Sequence, residues 1–86
     1  MQEINNTQYF KVQKDQVIEV KDVIARVYEA LTEKGYTPVN QIVGYVMSGD
    51  QTYITSHKGA RSLIRRVERH EIIEILLEDY INNNFK

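Results

Sequence analysis

The stretch Thr37-Pro38-Val39-Asn40-Gln41-Ile42-Val43-Gly44-Tyr45-Val46-Met47-Ser48-Gly49-Asp50 decides the fold class. Thr37 suits an N-cap, and Pro38 suits the first helical position, where its missing N–H costs nothing. Val39, Ile42, Val43, Val46 and Met47 then recur at intervals of 3, 1, 3 and 1, an apolar stripe on one side of a helix. Ser48-Gly49-Asp50 ends it, with turn formers and a glycine that tolerates the left-handed conformation. Gly44 sits mid-helix, where glycine costs about 0.5–1 kcal/mol relative to alanine, and a close helix crossing is its expected purpose.

The pattern repeats on either side. From Val17 to Lys34 the residues Val20, Ile24, Val27, Tyr28 and Leu31 share one helical face, with Asp15 as the expected N-cap and Gly35 at the expected left-handed stop. Residues 50–56 read as a loop with two apolar anchors, Tyr53 and Ile54. Ser56 is placed to cap a helix over His57–Arg69 with an apolar face of Ala60, Leu63, Ile64 and Val67. A last helix runs from His70 to Asn82. Ile72, Ile73, Leu76, Leu77, Tyr80 and Ile81 cover about half its circumference, more than one neighbour in a chain this short covers. The expectation is an all-α protein: a compact bundle of four to five helices over residues 15–86, preceded by a flexible, polar N-terminal arm over residues 1–14. Ile72, Ile73, Leu76, Leu77 and Tyr80 are assigned to a homodimer interface.

Composition narrows the function. The chain has 86 residues, no cysteine and two histidines, His57 and His70. Disulfides and thiolate metal sites are thereby excluded, and a core this small gains most from self-association. No apolar run reaches the roughly 18–20 residues of a membrane span, and the first residues lack a signal-peptide pattern. A cytoplasmic location is expected, with no membrane insertion, metal or cofactor. Gly35, Gly44, Gly49 and Gly59 are scattered and build no phosphate loop. Glu71, Glu74 and Glu78 share a face that reads as solvated. Nothing points to catalysis.

The net charge of −1 conceals a division. Between His57 and His70, Lys58, Arg61, Arg65, Arg66 and Arg69 stand against Glu68 alone, a local +4, while the rest of the chain carries −5. On one helix Lys58, Arg61, Arg65 and Arg69 would form a row, and Arg66 would widen it. Like charges at i, i+4 cost a helix a few tenths of a kcal/mol per pair. The choice of arginine favours planar recognition of carboxylate or phosphate. These five residues are the candidate partner-binding surface. The alternative is a small helix-turn-helix-like protein that uses the basic helix 57–69 on nucleic acid. The long loop before that helix and the acidic remainder make nucleic acid the less favoured partner.

Glu33-Lys34-Gly35-Tyr36-Thr37-Pro38-Val39-Asn40-Gln41-Ile42-Val43-Gly44-Tyr45-Val46-Met47-Ser48-Gly49-Asp50, with Ala60-Arg61-Ser62-Leu63-Ile64-Arg65-Arg66-Val67-Glu68-Arg69 and Glu71-Ile72-Ile73-Glu74, closely resembles the IreB family, also known as ReoM or YrzL. The resemblance runs from about residue 7 to residue 81. It implies a helical homodimer without enzymatic activity, phosphorylated by a membrane serine/threonine kinase with extracellular PASTA domains and opposed by a phosphatase. It also implies a role in cell-envelope homeostasis, through Clp-protease turnover of the enzyme that commits carbon to peptidoglycan, with other regulatory or adaptor proteins as partners. The family's phosphoacceptor lies in a T-x-x-F context, which here is Thr7-Gln8-Tyr9-Phe10, so the implied site is Thr7. The sequence departs from the family pattern at Ile4, where some members carry a second threonine. It departs again at Gln51 and Thr55, where the loop has prolines, and at His70, where the family has aspartate.

Overall fold

A computed structural model describes residues 18–85. Four α-helices follow in order: α1 Val20–Glu33, α2 Pro38–Ser48, α3 Ala60–Ile64 and α4 Arg69–Asn84, with short 3-10 turns at Gln51–Tyr53 and His57–Gly59. No strand occurs among the described residues. The expected arm, Thr7 and the Asp15 cap lie outside them. The N-cap position of α1 is occupied by Glu19.

The core gathers on one face of α1. Val23, Val27, Ala30 and Leu31 are fully buried there, together with Ile54, Ala60, Ile64 and Ile72, while Tyr45 keeps 6% of its surface. Val20, Ile24, Ile42, Val46, Leu63 and Val67 pack around this cluster. The buried face of α1 is thus rotated from the expected one: Val23 and Ala30 belong to it, whereas Tyr28 is exposed. α1 ends as anticipated at Gly35, whose φ is +85°. The Gly35 N–H donates to Thr32 O at 3.0 Å and the Tyr36 N–H to Leu31 O at 2.9 Å, the paired bonds of a Schellman motif.

α2 corrects the expectation most. It begins at Pro38 and ends at the left-handed Gly49, as predicted, although the Thr37 side chain makes no capping hydrogen bond. Its apolar stripe, however, faces the core only in part. Val39, Val43 and Met47 are exposed, Ile42 and Val46 are half-buried, and the fully interior residue is Tyr45, off the stripe. Gly44 serves no helix crossing either. The ring of Tyr53 lies directly over it, so that an added Cβ would overlap the ring. Gln41 Nε2 donates to Tyr53 O at 2.8 Å, fixing the 3-10 turn onto the helix. Within that turn Asp50 Oδ1 accepts from the Thr52 N–H at 3.0 Å and from Thr52 Oγ1 at 2.6 Å. Side-chain bonds from Gln41, Asp50 and Thr52 therefore help to shape the loop.

The continuous helix expected over 57–69 is replaced by a kinked segment. Lys58 (φ 55°) and Gly59 (φ 72°) both occupy the left-handed region, which ends any right-handed helix. Ser56 precedes this turn without a side-chain capping bond. α3 is consequently five residues long, and residues 65–68 turn into α4. Glu71 Oε1 accepts from the Glu68 N–H at 2.8 Å, which steadies the start of α4.

On α4, Ile72 and Ile73 are adjacent, yet Ile72 is 0% and Ile73 48% exposed. Ile72 is therefore a core residue, and its assignment to a dimer interface is corrected: its side chain is already covered within the chain. Ile72→Ala is expected to lower stability by about 2–5 kcal/mol, and Ile73→Ala by far less in the monomer, measured by urea unfolding at high dilution. Gly44→Ala gains about 1 kcal/mol of helix propensity but must displace the Tyr53 ring. A net loss of about 1–2 kcal/mol is expected in the same measurement.

Candidate functional site

The five basic residues do not form one row. The left-handed turn at Lys58 and Gly59 and the turn at 65–68 divide them among four places. Lys58 turns back toward α1, where its Nζ lies 3.1 Å from Glu33 Oε2 and 3.7 Å from Glu29 Oε2. His57 Nε2 meets Glu33 Oε1 at 2.8 Å. Arg61 is half-buried, and its Nε donates to the carbonyl of Ile54 at 2.8 Å, tying the loop to α3. Arg69, the first residue of α4, donates from Nη1 to Val46 O at 3.1 Å at the end of α2. Arg65 and Arg66 stand exposed at the turn between α3 and α4. Sequence spacing found the residues but not this division, because the break depends on a lysine adopting a positive φ.

Glu29 and Glu33 are functional neighbours that the sequence did not single out. Their spacing of four residues on α1 puts both on one edge, facing the 57–59 turn. The hydrogen bond from His57, and next that from Lys58, holds the Glu33 carboxyl below its ordinary value of 4.5. The same contact with Glu33 raises the Lys58 ammonium above 10.5. Hydrogen bonds from Thr52 likewise lower the Asp50 carboxyl. Left-handed backbone costs a non-glycine residue on the order of 1–2 kcal/mol, and the Glu29–Glu33–Lys58 contacts oppose that cost where the strain lies.

The second surface is apolar. Ile42, Val43, Val46 and Met47 of α2 and Ile73, Leu76, Leu77 and Tyr80 of α4 line one groove. A second groove, against Lys21, Ile24 and Tyr28 of α1, shares Ile42, Val43 and Leu76 with it. The expected interface residues Ile73, Leu76, Leu77 and Tyr80 are thus on this face, whereas Ile72 is beneath it. Val39, Val43 and Met47 join them, the last at 78% exposure. Soluble monomers rarely leave contiguous apolar patches of more than a few hundred Å², and this face is on that scale.

No group of three or more metal-ligating side chains converges among the described residues, and no helix there is long and apolar enough to cross a membrane. The helix 57–69 on which the nucleic-acid alternative rested is not formed as one helix, and α3 is too short to lie along a groove as a recognition helix. The candidate phosphoacceptor Thr7 lies outside the described residues.

Because the folded-state pKa of Glu33 is lowered, its stabilising contribution is present above pH 4.5 and is lost as pH falls through the lowered value. Lys58 has the opposite sign: its contribution is complete below pH 10.5 and is lost as pH rises through the raised value. Glu33→Gln is expected to flatten both limbs of a plot of denaturation midpoint against pH. Unchanged limbs would show that the Glu33–His57–Lys58 contacts add nothing to stability.

Comparison with known proteins bears on both surfaces. A family model described as IreB regulatory phosphoprotein matches residues 5–82. A UPF0297 protein of Lachnoclostridium phytofermentans is 71% identical over 86 residues, covering 100% of this chain and 98% of the relative. Another from Ruminiclostridium cellulolyticum is 51% identical over 81 residues, with 94% and 92% covered. A third, from Acetivibrio thermocellus, is 54% identical over 77 residues, with 90% and 86% covered. The family match takes in the 33–50 and 60–74 stretches as well as both surfaces built from them, and the chain belongs to the IreB regulatory phosphoprotein family.

Proposed function

We propose that this chain is a non-enzymatic, cytoplasmic regulatory phosphoprotein that acts through protein contacts, with Thr7 as its phosphoacceptor. The observation that carries this is the match to a regulatory phosphoprotein family over residues 5–82, a span that includes the Thr7-Gln8-Tyr9-Phe10 pattern. In this proposal the kinase is a PASTA-type serine/threonine kinase opposed by a phosphatase. The output is control of peptidoglycan-precursor supply through Clp-dependent proteolysis, with a regulatory or adaptor protein as the docked partner.

The two surfaces support separate tasks. The exposed Arg65 and Arg66 suit a carboxylate- or phosphate-bearing partner, and Lys58, Arg61 and Arg69 shape the elements around them. The apolar face of α2 and α4 suits a second copy of the chain. Its large exposed side chains, Met47, Leu77 and Tyr80 among them, offer apolar surface for such an interface. Phosphorylation adds about −1.5 to −2 charge to a chain whose net charge is −1. In each protomer the modified Thr7 would either occupy the basic turn or repel the acidic partner from it.

Incubation of the full chain with the kinase catalytic domain and ATP, followed by mass-spectrometric site mapping, is expected to yield one phosphate at Thr7, and Thr7→Ala is expected to abolish it. Stoichiometric phosphate elsewhere, or none, would overturn the assignment.

A further inference from the structure

Arg69 stands where the two surfaces meet. It opens α4 one turn before Ile73, and its Nη1 bonds the carbonyl of Val46, which lines the apolar groove. That carbonyl lies in the last turn of α2, where the intrahelical bonds run out and a cation is favoured. The guanidinium also lies flat against Gly49. A Cβ built on Gly49 would fall 2.9 Å from Nη1 and 3.0 Å from Cζ, closer than such atoms pack. The end of α2 and the start of α4 are therefore fitted to each other through one side chain and one absent side chain.

We propose that Arg69 is a positioning residue whose contact with Val46 and Gly49 sets the spacing of α2 and α4, and so shapes their apolar face to receive a second copy of this chain. This rests on the assignment of that face to self-association. Val43 and Met47 stand on one wall of the groove, and Ile73 and Leu77 on the other. The walls belong to different helices joined by twenty residues of loop and α3. A complementary surface needs those walls at a fixed separation, and Arg69 provides a polar contact that bridges the helices beside the groove. Packing at interface cores is as dense as in protein interiors, so a small shift of one wall loosens many contacts at once.

The Gly49 contact permits a test that separates positioning from simple stability. Dimer dissociation of the full chain is measured by sedimentation equilibrium, and the folding of each variant by circular dichroism. Wild type is expected to dimerise, and Leu77→Arg to be a folded monomer. Arg69→Ala is expected to weaken the dimer at least tenfold with helix content retained, and Arg69→Lys, which keeps a donor for Val46 O, to weaken it less. Gly49→Ala strains the left-handed backbone (φ +77°) in either background, so it is expected to weaken the dimer more when Arg69 is present than when Arg69 is alanine, the excess being the contact of the added Cβ with the guanidinium. Equal effects of Gly49→Ala in both backgrounds, or an Arg69→Ala dimer as tight as wild type, would overturn the positioning role while leaving the face as an interface. A wild-type chain that stays monomeric at all concentrations, or a Leu77→Arg dimer, would overturn the assignment of the face itself and the role of Arg69 with it.

Discussion

The structure depends on the burial of one face of α1. Val23, Val27, Ala30 and Leu31 are where Ile54, Ile64 and Ile72 of later elements converge, and among the described residues no other helix contributes four buried ones. Loop 49–56, α3 and the first turns of α4 close over α1. α2 and α4 each contribute a single residue, Tyr45 and Ile72, to the buried core. Their remaining apolar side chains are left at the surface by this geometry.

Charge placement follows from the same packing. α3 must approach α1 to bury Ala60 and Ile64, and the chain reaches it through two left-handed residues. Gly59 adopts that conformation freely, whereas Lys58 does so beside Glu29 and Glu33, which offset its charge. The ion pairs are exposed and each is individually weak. Their importance is positional: they sit at the point where the backbone is least favourable, and they draw a lysine out of what the sequence presents as a continuous basic row.

The sequence disclosed the helices better than their orientations. Terminators were legible because they rest on backbone chemistry: Gly35 and Gly49 both take the left-handed positions their contexts require. The stripe Val39–Ile42–Val43–Val46–Met47 was equally legible as a helix face, but periodicity carries no information on what covers that face. Tyr45, outside the stripe, is buried as a member of the cluster that Leu31, Ile54, Ile64 and Ile72 also form, a tertiary fact. The same limit explains Ile72 and Ile73, neighbours in an apolar run that lie on opposite sides of the core boundary. Gly44 is expected at a close helix crossing and instead lies under an aromatic ring. Its partner, Tyr53, lies nine residues on in a loop, and no helical spacing connects them. The basic residues were identified one by one, while their arrangement as a row failed at Lys58, where a non-glycine residue takes a positive φ.

The division of the basic residues bears on the kind of partner the surface fits. A duplex reader makes on the order of 6–10 phosphate contacts spread along a regular backbone, and a long helix with arginines at every turn would supply them. Here Lys58 faces carboxylates of α1, and Arg61 and Arg69 each donate to a main-chain carbonyl. What the turn between α3 and α4 presents is two adjacent arginines at a sharp bend, a compact cationic point in a chain that carries −5 outside residues 57–70. Long-range attraction to a polyanion is opposed by that remainder, while a single carboxylate cluster or phosphate approaching the bend is screened from it beyond about 8–10 Å at physiological salt. A local, short-range contact with a protein or with one phosphorylated side chain therefore fits the electrostatics better than a nucleic-acid backbone does.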